Sequence, residues 1–339
     1  MKINSKKVLF LLMAVIFAFG FSSCSKKTEY DSTIRVAVLV YKGNDTFISN
    51  MYESIVECAN AYVGENGERL YLSYSDAQDS QATQNEQIER YISLDYDVLC
   101  VNLVDRTEAA SVIDLAREAN IPVVFFNREP VKEDMLKWDR IVYIGTDARQ
   151  NAELEGQIVV EAYNADKSSI DLDGDGIVRY IMIEGERRHQ DTLIRTEVSV
   201  QYLKDNGFVL EKLDGGIANW VRSQASALAE QYLTEYGDEI ELIICNNDDM
   251  ALGVVDVVEK LGLNFSNIVG IDGTPQGLEA VKNGKMLGTV VIGYSEHAQM
   301  IVDMTLALYH NLDLNEISNI GPDRTLRAPL YIVSKSDFE

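Results

Sequence analysis

Short apolar runs rich in β-branched residues recur along the chain at residues 34–41, 98–101, 123–126, 180–183, 242–245, 268–271 and 289–292. Runs that are apolar throughout, without polar alternation, belong to strands covered on both faces, the situation in parallel sheets. Segments of helical length at 84–93, 109–119, 148–163, 193–206 and 275–283 fill the intervals. Several open after a serine, threonine or aspartate able to cap them. Alternating βα units set the fold class as α/β with parallel sheets. No heptad repeat, low-complexity tract or long Gly/Ser linker interrupts the rhythm, and the best boundary candidate is the turn-like Ile144-Gly145-Thr146-Asp147.

Nearly every run is followed at once by a polar or aromatic side chain: Asn44-Asp45-Thr46-Phe47, then Asn102, Asn127, Glu184-Gly185, Asn246-Asn247-Asp248 and Asp272. Ligands of open α/β sheets bind in the crevice outside the carboxyl ends of the strands, which makes these positions candidate contacts. The same residue types terminate strands and cap helices with no ligand involved, so both readings stand at this level. Recurrence in both halves of the chain points to a ligand held between two lobes. Asp45, Asn127, Asp191, Arg195, Asn247 and Asp272 supply acceptors and donors, and Phe47 and Trp220 supply flat apolar faces. A pyranose suits this mixture, because its hydroxyls both give and accept hydrogen bonds while its C–H faces stack on rings. Trp220, in Ile217-Ala-Asn-Trp220-Val, equally suits core packing.

Ahead of the first strand, Lys2, Lys6 and Lys7 precede an apolar run over 8–21 that ends in Ser22-Ser23-Cys24. This is the layout of an export signal and not of a spanning helix. Its ending resembles a bacterial lipoprotein processing site, although Phe21 stands where leucine is usual. Residues 1–23 would be removed, Cys24 would carry lipid and 24–33 would form a tether, with ordinary secretion as the alternative. About 315 residues then remain, suited to two domains. The removed segment holds three lysines and no acid, so the mature balance is 27 basic against 54 acidic side chains, or −27. Such a chain repels phosphates, which argues against nucleic acid, anionic membrane surfaces and anionic ligands. Cys58, Cys100 and Cys245 are odd in number, and the last two lie inside strand-like runs, so free thiols are expected and a disulfide framework is not.

The stretch from Asp171 to Arg195 carries the densest chemistry. Asp171-Leu-Asp173-Gly-Asp175-Gly176 places three carboxylates at alternate positions with glycine at the sixth, the arrangement a calcium loop requires. Gly185-Glu-Arg-Arg-His189-Gln-Asp191-Thr-Leu-Ile-Arg195 then gathers an imidazole, a carboxylate and a guanidinium within seven residues, a set suited to a neutral polyhydroxyl ligand.

From about Ile34 to the C-terminus the chain resembles the periplasmic galactose/glucose-binding proteins, sugar-capturing components of ABC transporters and, in some bacteria, of chemotaxis. The signposts are Val40-Tyr-Lys-x-x-Asp45-x-Phe47, Asn102-Leu-Val-Asp105, Pro122-Val-Val-Phe-Phe-Asn127-x-Glu129-Pro130, Tyr143-x-Gly-Thr-Asp147, Gly185-Glu-x-x-His189-x-Asp191-x-x-x-Arg195, Asn246-Asn247-Asp248, Gly270-x-Asp272 and Gly288-Thr-Val. The resemblance implies two Rossmann-like lobes with parallel sheets, joined by three crossovers and closing on one sugar. One lobe would comprise 34–145 plus 294–324, the other 146–293 plus 325–339. Asp45, Phe47 and Asn127 would be contacts from the first lobe; His189, Asp191, Arg195, Trp220, Asn247 and Asp272 from the second, with Phe47 and Trp220 sandwiching the ring. Asp45 would face the hydroxyl whose epimers separate glucose from galactose. The protein would act as a monomer, delivering a hexose to an ABC permease or presenting its closed form to a chemoreceptor or histidine kinase.

Two positions depart from the family pattern. Ile292 stands where an asparagine is expected after Gly-Thr-Val, so one sugar contact is missing or comes from elsewhere, such as Tyr294 or a water. The family's calcium site would draw on Asp171, Asp173, Asp175, the carbonyl of Ile177 and Glu241, but its ninth position is Arg179, which cannot ligate. The expectation is bound calcium with water in the ninth place. The alternative is an Arg179 guanidinium folded in as a substitute for the ion. An enzyme is not expected. Carboxylates paired with guanidinium and amide donors keep depressed pKa values, whereas a glycosidase general acid needs a raised one. No nucleophile elbow, phosphate loop or HExxH motif is present. The lactose-repressor-like regulators share the lobes, but an export signal occupies the place of their DNA-binding headpiece.

Overall fold

The computed structural model describes residues 33–64, 67–317 and 319–338; the export signal, Cys24 and nearly all of the tether lie outside them. In the first lobe, β1 (Thr33–Val40), β3 (Val98–Val101), β4 (Val123–Phe126) and β5 (Ile141–Gly145) form the sealed centre of a sheet with β2 (Arg69–Asp76) and β11 (Thr325–Arg327) at its edges. All of its pairs are parallel. Because side chains alternate across a strand, Val36, Val38 and Val40 of β1 face one side and Ala37 and Leu39 the other. Each face needs its own helical cover. α1 (Thr46–Ala61) buries Ile48, Met51 and Ile55 against the first face, and α2 (Gln81–Ser93) and α3 (Ala109–Ala119) bury Ile88, Val112 and Ile113 against the second. The short α4 (Lys132–Met135) follows β4.

The second lobe repeats the plan. Its sheet runs β7 (Leu210–Ile217), β6 (Val178–Glu184), β8 (Leu242–Cys245), β9 (Ile268–Asp272), β10 (Gly288–Ile292) and β12 (Leu330–Ser334), parallel except that β12 is antiparallel to β10. Its helices are α5 (Ala148–Ala165), α6 (Gln190–Asp205), α7 (Arg222–Tyr236), α8 (Asp248–Leu261) and α9 (Pro275–Lys282). The last helix, α10 (Tyr294–Tyr309), follows β10 but packs on α1 and the first sheet. The two sheets thus follow one strand order, β2-β1-β3-β4-β5 and β7-β6-β8-β9-β10, and the order reverses at β1 and at β6. The carboxyl ends of strands at such a reversal are where ligands bind.

The chain passes between lobes three times: from β5 to α5, from β10 to α10, and from β11 to β12. The sequence boundary at 324/325 moves accordingly. Thr325–Arg327 pairs in parallel with Tyr143, Ile144 and Gly145, so this strand belongs to the first lobe and the last crossover lies just beyond Arg327. Cys58, Cys100 and Cys245 are free thiols, the last two buried, as the sequence indicated. Among the described residues, no helix is long and apolar enough to cross a membrane.

Candidate functional site

Asp45, Phe47, Asn127, His189, Asp191, Arg195, Trp220, Asn247 and Asp272, all nine sequence candidates, line one cleft between the lobes. About 510 Å³ of space lies between these residues, counting the open mouth of the cleft. Three of the nine are helix N-caps. Asp45 accepts from the Ile48 N–H at 2.9 Å at the start of α1, His189 Nδ1 from the Asp191 N–H at 3.1 Å at the start of α6, and Asn247 Oδ1 from the Met250 N–H at 3.0 Å at the start of α8. The capping bond spends one polar atom on the helix and fixes the rotamer, which leaves the other polar atom of Asn247 and of His189 for a ligand. For Asn247 that atom is Nδ2, a donor. For His189 it is Nε2: the bond accepted by Nδ1 puts the ring proton on the other nitrogen. Burial, with Arg128 and Arg195 nearby, pushes the His189 pKa well below its usual value, so the ring stays neutral. The 3.8 Å approach of Asp191 to its Nδ1 is therefore no ion pair. Asp45 Oδ2 accepts from the Tyr41 hydroxyl. Burial, then the Asp45 carboxylate, raises that phenol far above its ordinary range and keeps it a donor.

The strand-end polar residues fall into two groups. Asn127, Asn247 and Asp272 reach the cleft, whereas Asn102 and Asn246 are fully buried and tie neighbouring strand ends together. Asn102 Nδ2 donates to Asn127 Oδ1 at 3.0 Å, and Asn246 Oδ1 accepts from the Gly185 N–H at 3.1 Å and from Thr196 Oγ1 at 3.2 Å. Asn127 (φ 61°), Trp220 (φ 64°) and Asp272 (φ 124°) all hold positive φ. Such backbone costs on the order of 1–3 kcal/mol per residue and persists where the surroundings impose it, as they do at binding sites.

Arg195 organises the second-lobe wall. From α6 its guanidinium donates to the Asn246 carbonyl at 2.9 Å and to Asp191 Oδ2 at 3.2 Å, and it lies 3.9 Å from Asp272 Oδ1. The carboxyls do not behave as the sequence suggested. Burial raises the pKa of Asp191, and that of Asp272 more strongly, with Arg195 opposing in both cases. Desolvation in the closed cleft outweighs the guanidinium, so the pKa argument against catalysis does not survive. Beneath this wall, Asp248 is fully buried and accepts from the Thr274 N–H (2.7 Å), Thr274 Oγ1 (3.2 Å) and Thr289 Oγ1 (2.6 Å); burial lifts its pKa to about 7.

Trp220 is half-buried, edge-on to His189 with centroids 5.3 Å apart, and its ring lies against Gly185. Phe47 packs on Tyr294 at 5.3 Å from the first-lobe side. Ile292 lines the cleft and is buried in the first-lobe cluster with Phe47, so the wall there is apolar. Tyr41, Arg128, Thr146 and His297 also line the cleft, and sequence reasoning did not nominate them. Tyr41 and Arg128 sit inside the quoted motifs, next to named residues, so spacing was the available signal. His297 arrives on α10, and nothing local announces it.

Arg128 also clasps the lobes together. Its guanidinium lies 3.7 Å from the Tyr41 ring centroid, donates to the Val104 carbonyl at 2.7 Å, and reaches across to both oxygens of Glu186 at 3.1 and 3.0 Å. On the other side Thr46 Oγ1 donates to Asp249 across the cleft at 2.7 Å. The lobes are therefore closed on the site.

The acid loop lies elsewhere in the second lobe. Carboxylate oxygens of Asp171, Asp173 and Glu241 come within 4.8 Å of one another. Glu241 accepts from the N–H groups of Leu172 (2.6 Å), Asp173 (3.4 Å) and Arg179 (2.9 Å), and Asp171 from that of Gly176 (3.2 Å). Asp175 accepts from the Ile177 N–H at 2.8 Å with one oxygen and turns the other to Arg179. Calcium takes six to eight oxygens, and here a guanidinium occupies the ninth loop position and pairs with two of the acids. With Arg179 seated in this way, the residue set does not fit a calcium ion.

The sequence profile of the periplasmic binding protein domain matches residues 36–311. The D-galactose/methyl-galactoside binding periplasmic protein of Haemophilus influenzae is 29% identical over 334 residues, 97% of each chain. An ABC-transporter solute-binding protein from Bacillus halodurans, solved with bound myo-inositol, superposes with a TM-score of 0.74 at 25% identity, over 91% of this chain and 97% of that one. A periplasmic solute-binding protein from Actinobacillus succinogenes, solved with D-allose, shares the fold at a TM-score of 0.75 and 20% identity, over 90% and 98% of the two chains. The chain belongs to the periplasmic binding protein family, as a two-lobed type I binding protein and not an enzyme.

Proposed function

We propose that this protein captures a neutral hexose, D-galactose or D-glucose, between its lobes and presents the closed form to an ABC permease. One observation carries the reading: three helix caps, two with a polar atom left for a ligand and the third, Asp45, with an oxygen shared with the Tyr41 hydroxyl, stand with the Arg195–Asp191–Asp272 cluster and Trp220 around a single cleft. Such a ring offers fixed donors and fixed acceptors, which is what a set of hydroxyls on a rigid ring requires. The relatives named above take galactosides, myo-inositol and D-allose, all neutral polyols of similar size. The apolar wall at Ile292 favours a ligand that turns a C–H, and not a hydroxyl, toward that point. Family membership accords with export, and lipid on Cys24 would hold the receptor near its permease. Palmitate labelling that persists in Cys24→Ala would remove that anchor from the account.

Isothermal titration with D-galactose, D-glucose, myo-inositol, D-ribose and glucose 6-phosphate tests the reading. Saturable one-to-one binding of a neutral hexose, with weaker pentose binding and none of the phosphate, is expected. Preference for the phosphate, or heat from none of the neutral sugars, would overturn it.

A further inference from the structure

We propose that the Arg179 guanidinium does the work of a bound cation, so that the 171–177 loop of the second lobe is set without calcium. Arg179 makes three ion pairs: Nη1 to Asp173 at 3.2 Å, Nη2 to Asp175 at 2.7 Å, and Nε to Glu211 at 3.3 Å. Its fork therefore ties the loop to β7, where Glu211 is its register partner. The same residue anchors the far acid, because its backbone N–H donates to Glu241 Oε2 at 2.9 Å.

Each carboxylate that would face an ion thus already has a donor. Glu241 is filled by three backbone N–H groups, Asp171 closes the turn onto Gly176, and Asp173 and Asp175 share the guanidinium. A planar guanidinium binds carboxylates through parallel directional bonds and never deprotonates, so it is a permanent internal counter-charge. A divalent ion entering the loop would meet this fixed positive charge and would have to break both pairs. The two glycines that let the loop turn, Gly174 (φ 75°) and Gly176 (φ 85°), keep their role whichever cation sits there.

The test does not depend on sugar binding. Melting of the purified protein is followed in EGTA and in millimolar calcium, with terbium luminescence as a direct probe of ion binding. The wild type should melt at the same temperature, within about 1 °C, in both, and should not sensitise terbium, whereas an ion held far above its dissociation constant would raise the midpoint by several degrees. Arg179→Gln supplies an oxygen at the ninth position and removes the internal charge. It should melt lower than wild type in EGTA and recover when calcium is added. Arg179→Lys keeps the charge without the fork, and should melt below wild type while remaining insensitive to calcium. A calcium-dependent rise of several degrees in the wild type, or Arg179→Gln melting like wild type in EGTA, would overturn the proposal.

Discussion

Trp220 gives the sharpest quantitative handle on the cleft. An aromatic side chain covers about 150–250 Å² in all. If roughly 80 Å² of one ring face covers the ligand, about 25 cal/mol per Å² gives about 2 kcal/mol, or roughly a 30-fold loss of affinity in Trp220→Ala. The structure supplies a second way to remove the same contact. A Cβ built on Gly185 would lie 2.2 Å from two ring atoms of Trp220. Carbon atoms pack at about 3.5–4.0 Å, so Gly185→Ala must displace the ring by roughly 1 Å or more. It should weaken binding about tenfold with Trp220 intact. Because both substitutions act through one ring, the double variant should bind no worse than Trp220→Ala alone, which isothermal titration of the four proteins measures as a cycle. Additive losses, or Trp220→Ala within twofold of wild type, would refute the reasoning.

Arg128→Lys keeps a charge but loses the guanidinium that holds Glu186 through Nη2 and the Val104 carbonyl through Nη1, and the stack on Tyr41; stopped-flow dissociation of the sugar should be about 5–30-fold faster, equivalent to roughly 1–2 kcal/mol of closed-state stabilisation. Asp191→Asn removes the charge that faces Arg195 and should cost about 1.5–3 kcal/mol of affinity by calorimetry, with the melting temperature read alongside to separate binding from folding. Asp248 has a folded-state pKa raised from the ordinary aspartate value to about 7, so between roughly pH 4 and 7 the folded state holds a proton that the unfolded state has lost. Its contribution to stability is therefore present at low pH and lost as pH rises through about 7; thermal melts of Asp248→Asn should show a flatter pH dependence over that window than wild type.

How much of this was legible in the sequence follows from burial. Strands sealed on both faces, such as Val98–Val101 and Leu242–Cys245, read directly as apolar runs. The edge strands did not. Arg69–Asp76 and Leu210–Ile217 are exposed or half-exposed along their length and carry polar residues throughout, so no apolar run marks them. At the site, Asp45 and Asn247 left an ambiguity between cap and ligand contact, and it was a false choice: Asn247 spends Oδ1 on the helix and keeps Nδ2, and Asp45 caps with one oxygen and shares the other with the Tyr41 hydroxyl, while both line the cleft. The inverted carboxyl pKa values at Asp191 and Asp272 were out of reach for another reason: desolvation there depends on two lobes meeting, which no local pattern encodes. Arg128 and Glu186 were hidden in the same way, as two ordinary surface charges until the chain brings them 3.0 Å apart.

The central claim is that a hexose lies against Trp220 between the closed lobes. The chain has two tryptophans, Trp138 and Trp220, so Trp138→Phe leaves fluorescence from the cleft alone. Titrating this variant with D-galactose and D-glucose should give a saturable, one-to-one change in emission whose midpoint matches the calorimetric dissociation constant. Calorimetric binding of either sugar with no change in Trp220 emission would place the ligand elsewhere and contradict the account.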